Sequence, residues 1–281
     1  MVNLAHPVFG IEIIMKIGLI AGSGQFPILF SKKAKSKGFD IYAIAFHNET
    51  DPNLKGQVDA IQWLHLGQLK RLIKFFHRHE VKQAVMMGAV RKTRMFKDVR
   101  PDLKAMAAVF GLENTHDDGI LRSFARILED EGIQVKASTF LLPELLAAEG
   151  CWTHRKPSRA ETADIELGWK LAKAIGRLDI GQCIVVGGGS VLAVEAIDGT
   201  DATIRRGGRL GNGTAVVVKV CKPDQDKRFD VPAVGSQTIA TMHESNARAL
   251  AIEAGRAVVF DRQEMIALAD SHDISIVALS K

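Results

Sequence analysis

Cysteine is scarce in this 281-residue chain: Cys151, Cys183 and Cys221 are the three present, about 30 to 40 residues apart. None of the paired spacings of a zinc site or a disulfide framework occurs, which points to a reducing compartment. No apolar run approaches the roughly 18 to 20 residues that a membrane-crossing helix needs. The opening Met1–Ile14 carries His6, Pro7 and Glu12 but neither a basic n-region nor a small-residue cleavage site, so it does not read as a signal peptide. Because Met15 directly precedes the first convincing strand, the residues before it read as an extension. Aromatic residues make up 6% of the chain, and the densest basic stretch (Arg91, Lys92, Arg94, Lys97, Arg100) holds a single one, Phe96. A single-strand binder interleaves cations with stacking residues, so a nucleic-acid partner is not expected. His77 and His79 lack the i, i+4 spacing of a helical zinc pair, and no nucleophile elbow, Walker loop, kinase signature or internal repeat appears.

What is present is an ordinary soluble-protein balance of 47% apolar and 25% charged residues, enough to bury a substantial core. The length favours two domains. Thirty-seven basic against 32 acidic residues leave a formal charge of +5, a slight excess suited to an anionic ligand or an anionic membrane surface. KIGLIA (16–21), a short apolar run, ends in Gly22-Ser23-Gly24 and then Pro27 and an amphipathic stretch to Lys37, which is strand, tight turn and helix. Further strands are expected at 41–46, 60–64 and 83–90, with a helix over 68–79 whose Leu69, Leu72, Ile73 and Phe76 share a face. Alternation of this kind implies a mainly parallel sheet covered by helices.

After Pro101 helices are expected over 103–110 and 119–131, then a short apolar piece at 133–135. The polar, basic THRKPSRAET (153–162) reads as a linker before a helix over 163–175, which places the domains at 15–155 and 156–281. The second domain opens with runs 182–186 and 190–197 joined by Gly187-Gly188-Gly189, a hairpin pattern. A strand at 214–220 leads into the charged loop 222–229. The tail reads as a helix around 243–254, a strand at 257–260, a helix at 262–271 and a strand at 274–279.

Four places carry candidate chemistry. Gly22, Ser23 and Gly24 sit where backbone amides and a helix N-terminus favour an anion, and their readings are a phosphate or sugar site, a bare turn, or a dinucleotide turn of a nicotinamide-dependent oxidoreductase. The dinucleotide fingerprint wants a third glycine where Pro27 stands. Asp117 and Asp118, at the start of a helix, suit either N-capping or a magnesium ion held through oxygen. Thr200 and Asp201 suit a cap, with Arg205 and Arg206 placed to clamp phosphate oxygens. In KPDQDKRFDVP (222–232) the apolar Phe229 and Val231 and the rigid Pro232 frame Asp230, so this carboxylate reads as held; the other reading of the loop is a solvated turn.

Taken together, KIGLIAGSGQFP, MMGAVRKT, LGWKLAKAIGRLDIGQCIVV, VLAVEAIDGTDATIRR and KPDQDKRFDVPAVG resemble the UDP-2,3-diacylglucosamine pyrophosphatase family, in the family's order and from about Met15 to the C-terminus. The resemblance implies an N-terminal Rossmann-like parallel-sheet domain, a second α/β domain with a mixed sheet, and a ligand site between them. It implies a cytoplasmic hydrolase, peripheral on the inner membrane, that converts UDP-2,3-diacylglucosamine to UMP and lipid X. The expected cofactor is a divalent cation, usually Mg2+, and the expected assembly a homodimer. The family's motif aspartate falls on Asp230, expected to be catalytic or metal-positioning. Asp201 and Lys222 are expected beside it in catalysis, Asp117 and Asp118 at the metal, and Gly22, Ser23, Gly24, Arg91, Thr200 and Arg205 at the substrate. The family often has asparagine where Ala89 stands. Cations and a metal suit the charge that develops as a pyrophosphate breaks, and an apolar slot would take the acyl chains at about 0.8 kcal/mol per buried methylene.

Overall fold

The computed structural model describes residues 15–89, 101–102, 106, 117–223, 225–226, 228–229 and 231–280, and at Asp117, Asp118 and Ile120 the backbone alone. The helix expected over 103–110 lies outside them but for Met106. Two compact units emerge, one of residues 1–110 and 125–136, the other of 111–124 and 137–281.

The first unit is built on a five-stranded parallel sheet of order β3-β2-β1-β4-β5. Its strands are β1 (Met15–Ala21), β2 (Phe39–Phe46), β3 (Ala60–Leu64), β4 (Gln83–Met87) and β5 (Gln134–Lys136). Helices α1 (Phe26–Ser36) and α2 (Leu69–Arg78) intervene, and α3 (Asp117–Asp130) spans the division, with only its residues 125–130 in this unit. β1 is buried from Ile17 onward, as a central parallel strand covered on both faces must be. α2 buries Leu69, Leu72, Ile73, Phe75 and Phe76, the stripe its periodicity predicts. A Cβ on Gly18 would lie 2.8 Å from the Phe76 ring, so the bare β1 backbone is what lets α2 seat its phenyl group.

The second unit has a six-stranded mixed sheet of order β6-β13-β11-β9-β7-β8. These are β6 (Gly150–Cys151), β7 (Cys183–Gly187), β8 (Ser190–Val194), β9 (Ala215–Lys219), β11 (Ala247–Glu253) and β13 (Ser275–Leu279). β9, β11 and β13 run parallel, while β6, β7 and β8 pair antiparallel. A short parallel pair, β10 (Ala233–Val234) with β12 (Val258–Val259), stands apart. One sheet face carries α4 (Arg159–Arg177): Ile165, Trp169 and Ala172 pack on Val186, Val216 and Val218. The opposite face buries Val185, Val217, Leu250 and Ile252 with Ile204, Ile239, Met242 and Met265 of α5 (Thr200–Gly211), α6 (Ser236–Glu244) and α7 (Arg262–Ser271). The expected hairpin forms, and its turn residues Gly188 and Gly189 both have positive φ, 58° and 75°. The amides of Gly188 and Gly189 donate to the buried Asp164 carboxylate at 3.0 and 2.7 Å.

Two expectations fail. The helix expected around 243–254 is α6 ending at Glu244, followed by β11 over 247–253. ARALAIE has good helix formers, but its place between β9 and β13 buries both faces, and tertiary context overrides a propensity worth less than about 1 kcal/mol per residue. The stretch read as a linker is fastened down rather than free. Thr153 Oγ1 accepts from Ile276 N at 3.0 Å, and Arg155 reaches Ser275 Oγ at 2.5 Å and Glu161 Oε1 at 2.7 Å. Ser158 then caps α4 in a capping box with Glu161.

α5 lies so close to β7 that a Cβ on Gly207 would fall 2.4 Å from Val185 Cβ. Gly207→Ala gains at most about 1 kcal/mol of helix propensity against an overpacking cost of about 1–3 kcal/mol. The expected net is destabilisation, read as a lower urea midpoint with unchanged m.

Candidate functional site

In the first unit the strand order turns at β1, with β2 on one side and β4 on the other. The loops leaving the carboxyl ends of β1 and β4 therefore part at a topological switch point, the position where open α/β sheets bind ligands. Gly22–Gly24 leaves one strand and Gly88–Ala89 the other. The two loops are stitched together: Gly22 N donates to Met87 O at 2.7 Å, and Ser23 N and Oγ both donate to Ala89 O, at 2.8 and 2.7 Å. Ala89 N returns a bond to Ser23 O at 3.2 Å. A Cβ on Gly22 would sit 2.6 Å from Ala89 O, and one on Gly88, whose φ is +85°, 2.4 Å from Ser23 O. These two glycines thus serve the crossing of the loops. The expectation that the Gly22 and Ser23 amides face a phosphate is corrected, because the chain's own carbonyls hold them. Gly24, with φ +89° and open space around it, is the member of the turn whose amide donates to no described carbonyl. It leads into α1, which has no acidic residue in its first turn. Ala89 takes part here through its main-chain N and O.

In the second unit, Thr200 and Asp201 open α5, whose N-cap is Gly199 with no side-chain cap, so capping does not explain them. Thr200 Oγ1 instead donates to Glu195 Oε1 at 2.7 Å, and Gln182 N to Glu195 Oε2 at 3.0 Å. That carboxylate is buried. Arg206 is withdrawn from any phosphate clamp: it holds Asp198 Oδ2 at 2.5 Å and Val194 O at 2.8 Å. The Arg206 bond holds the Asp198 carboxyl below its ordinary value. Arg205 stands half-exposed, its Nε 4.0 Å from Glu244. Asp201 is exposed. Burial pushes the Cys183 thiol far up, which makes it a core residue and not a nucleophile.

Lys222 pairs with Asp179 at 2.5 Å, and its amide donates to Gln225 Oε1 at 2.9 Å. Within the same loop Arg228 Nη2 reaches Asp226 Oδ2 at 2.8 Å and Arg228 Nε reaches Oδ1 at 3.0 Å. The Arg228 bonds hold the Asp226 carboxyl low against the opposing effect of burial. So the described part of the loop is braced by one internal ion pair and by Asp179 from outside it, and is not a freely solvated turn. Asp230 and Arg91, and the side chains of Asp117 and Asp118, lie outside the described residues. Among the described residues no group of three or more His, Cys, Asp or Glu side chains could hold a metal ion.

The sequence reading missed one constellation. Glu253, at the carboxyl end of β11, accepts from Lys173 Nζ at 2.6 Å, Cys221 N at 2.9 Å and Arg256 Nη1 at 3.4 Å. Lys173, Arg177, Glu253 and Arg256 line a cleft of about 480 Å³. The i, i+4 pair of cations on α4 was legible, but its meeting with Glu253, 80 residues on, has no local signature.

A parallel sheet of order β3-β2-β1-β4-β5 with a glycine turn at its switch point is a Rossmann-like α/β arrangement. The chain belongs to the LpxI family: the LpxI N-terminal domain matches residues 16–145 and the LpxI C-terminal domain residues 148–277. It is 30% identical to the UDP-2,3-diacylglucosamine pyrophosphatase LpxI of Caulobacter vibrioides, over 94% of this chain and 97% of that protein. Solved structures also show likeness. One is the biotin carboxylase domain of the Hydrogenobacter thermophilus 2-oxoglutarate carboxylase, with 13% identity, 64% of this chain, 36% of that one and a TM-score of 0.28. Another is the biotin carboxylase subunit of a pyruvate carboxylase, with 14% identity, 66% and 39% coverage and a TM-score of 0.26. The chain spans under two-fifths of their lengths, and likeness at this level carries no argument.

Two outcomes are expected. Thr200→Val strips a buried carboxylate of one donor and should lower unfolding free energy by about 1.5–3 kcal/mol; an unchanged urea midpoint would show that the bond contributes nothing. Asp226 should titrate below an ordinary carboxylate in a carboxyl-carbon NMR titration, and Arg228→Gln should move that inflection up. The sign follows from the depressed value: whatever the pair contributes is present above the unfolded carboxylate pKa and is lost as pH falls through the lower folded one.

Proposed function

We propose that this protein hydrolyses UDP-2,3-diacylglucosamine to UMP and 2,3-diacylglucosamine 1-phosphate, lipid X, in lipid A biosynthesis. The observation that supports this reading best is the match to both LpxI domains together with 30% identity to the named pyrophosphatase across 94% of the chain. Water attacks the phosphorus attached to uridine, a new P–O bond forms, the bridging P–O bond breaks, and the sugar phosphate leaves with its electron pair. Asp230 is our choice for orienting that water. Asp201 and Lys222 are proposed to assist, Lys222 as an ammonium whose position Asp179 sets. Gly24 and the start of α1 favour a negatively charged group through an uncommitted amide and the helix dipole. Arg91, Arg205 and Thr200 complete the proposed substrate set, Thr200 through its backbone since its hydroxyl is held by Glu195.

We assign the required divalent cation, Mg2+, to Asp117, Asp118 and Asp230; when bound, it supplies Lewis-acid stabilisation of the oxygens that gain charge. We place the reaction in the cytoplasm, at the inner-membrane surface where the substrate's acyl chains lie, and expect a homodimer. No helix among the described residues is long and apolar enough to cross a membrane. A nicotinamide-dependent oxidoreductase is less well supported, since Pro27 replaces the third glycine and the Gly22 amide is engaged by Met87.

An assay separating UMP from intact substrate should show hydrolysis that EDTA abolishes and Mg2+ restores. Asp230→Ala should leave a folded protein with turnover reduced at least about a hundredfold, near 2.7 kcal/mol of transition-state stabilisation. Near-normal turnover of that variant would overturn the assignment of Asp230, and a fluorescence titration with NADH that saturates would favour the oxidoreductase.

A further inference from the structure

We infer that the cleft at the carboxyl ends of β9, β11 and β13 is a binding site for a phosphomonoester, held by Arg177 and Arg256 with Lys173 and Glu253 as its floor. Parallel strands end here, the side on which α/β sheets bind ligands. The cleft measures about 480 Å³ and is lined by three cations and one carboxylate, a local excess of two positive charges. The recess is shallow and largely open to solvent, so its charged lining rather than enclosure would hold a ligand.

The division of labour follows from the bonds. Glu253 is 5% exposed and saturated by Lys173, Arg256 and the Cys221 amide. Lys173 also donates to Cys221 O at 2.9 Å. Its ammonium therefore fastens α4 to the exit of β9. A Cβ on Gly176 would lie 3.3 Å from both Lys222 Cα and Pro223 Cδ, so the last turn of α4 is seated against the exit loop with little room to shift. The Arg177 guanidinium, one turn beyond Lys173, forms no hydrogen bond or ion pair with any described residue. A C-terminal helix position favours one cation by its dipole; Arg256, from a different element, reaches Glu253 through Nη1 at a long 3.4 Å. Gathering like charges in one recess is unfavourable until an anion enters. Guanidinium groups match phosphate oxygens in a forked, charge-assisted geometry that an isolated ammonium cannot reproduce. The rest of the lining is Pro223, Ala254 and Ser280, so the cations meet small and apolar groups in the same recess. A cationic recess with Pro223 and Ala254 in its wall suits a phosphate carried on an organic body.

For the source of the phosphomonoester, the inference rests on the proposed hydrolysis, both of whose products end in such a group. The test is direct calorimetric binding with EDTA present, kept separate from turnover. The probes are inorganic phosphate, UMP and a glucosamine 1-phosphate bearing two short acyl chains. Arg177→Ala should weaken at least one of the two organic phosphates about tenfold or more, Arg177→Lys should restore part of the loss, and Arg256→Ala should weaken the same ligand. Arg159→Ala, at the far end of α4, should change nothing, and thermal melts should show the Arg177 and Arg159 variants folded. Loss confined to UMP assigns the cleft to the nucleotide product, loss confined to the acylated probe to the sugar phosphate. Arg177→Ala and Arg177→Glu proteins that bind all three probes as the parent does would overturn the site even if hydrolysis is intact. Conversely, Arg177-dependent binding in a protein without hydrolysis would keep the cleft and sink the reaction.

Discussion

The Glu253 carboxylate is the constraint on which the second unit's working end depends. It is buried, and burying a charge without partners costs several kcal/mol, so its three donors are a structural necessity. Because the donors come from α4, from Cys221 two residues past β9 and from the turn after β11, satisfying one carboxylate fixes three elements relative to each other. The 222–232 loop leaves from that fixed point. Its first residue, Lys222, is held by Asp179 and Gln225, and its middle by the Asp226–Arg228 pair.

The same device recurs through the unit. Glu195 receives the Gln182 amide, Asp164 the Gly188 and Gly189 amides, and Glu161 the Ser158 amide. In each case a buried or nearly buried carboxylate satisfies loop amides that no strand or helix could reach. The loops at the sheet ends are thereby held by acids that are structural, and candidate catalytic acids must be sought elsewhere. The first unit achieves the same end without charge. There the loops after β1 and β4 bond each other directly, and glycine at 22 and 88 is what permits the approach.

Much of the fold was legible because its signals are local. The strands at 60–64 and 275–279, the α2 stripe, the hairpin and the helix at 262–271 follow from runs, periodicity and glycine placement. β11 was not legible, since ARALAIE becomes a strand through its two neighbours and not through its own preferences. The basic stretch 153–162 looked like a tether because composition alone cannot show that Arg155 finds Glu161 and Ser275.

By itself the sequence determined the α/β character of both units, the family and the positions of the turns, since these depend on residue type and short spacing. Tertiary structure decided which polar groups are already spent. It set the Gly22 and Ser23 amides on carbonyls 65 or more residues away, the Thr200 hydroxyl on Glu195, and Arg206 on Asp198. It also assembled Lys173, Arg177, Glu253 and Arg256 into one cleft. A side chain's chemistry is written in its type, but whether that chemistry remains available depends on partners that only folding brings within a few ångströms.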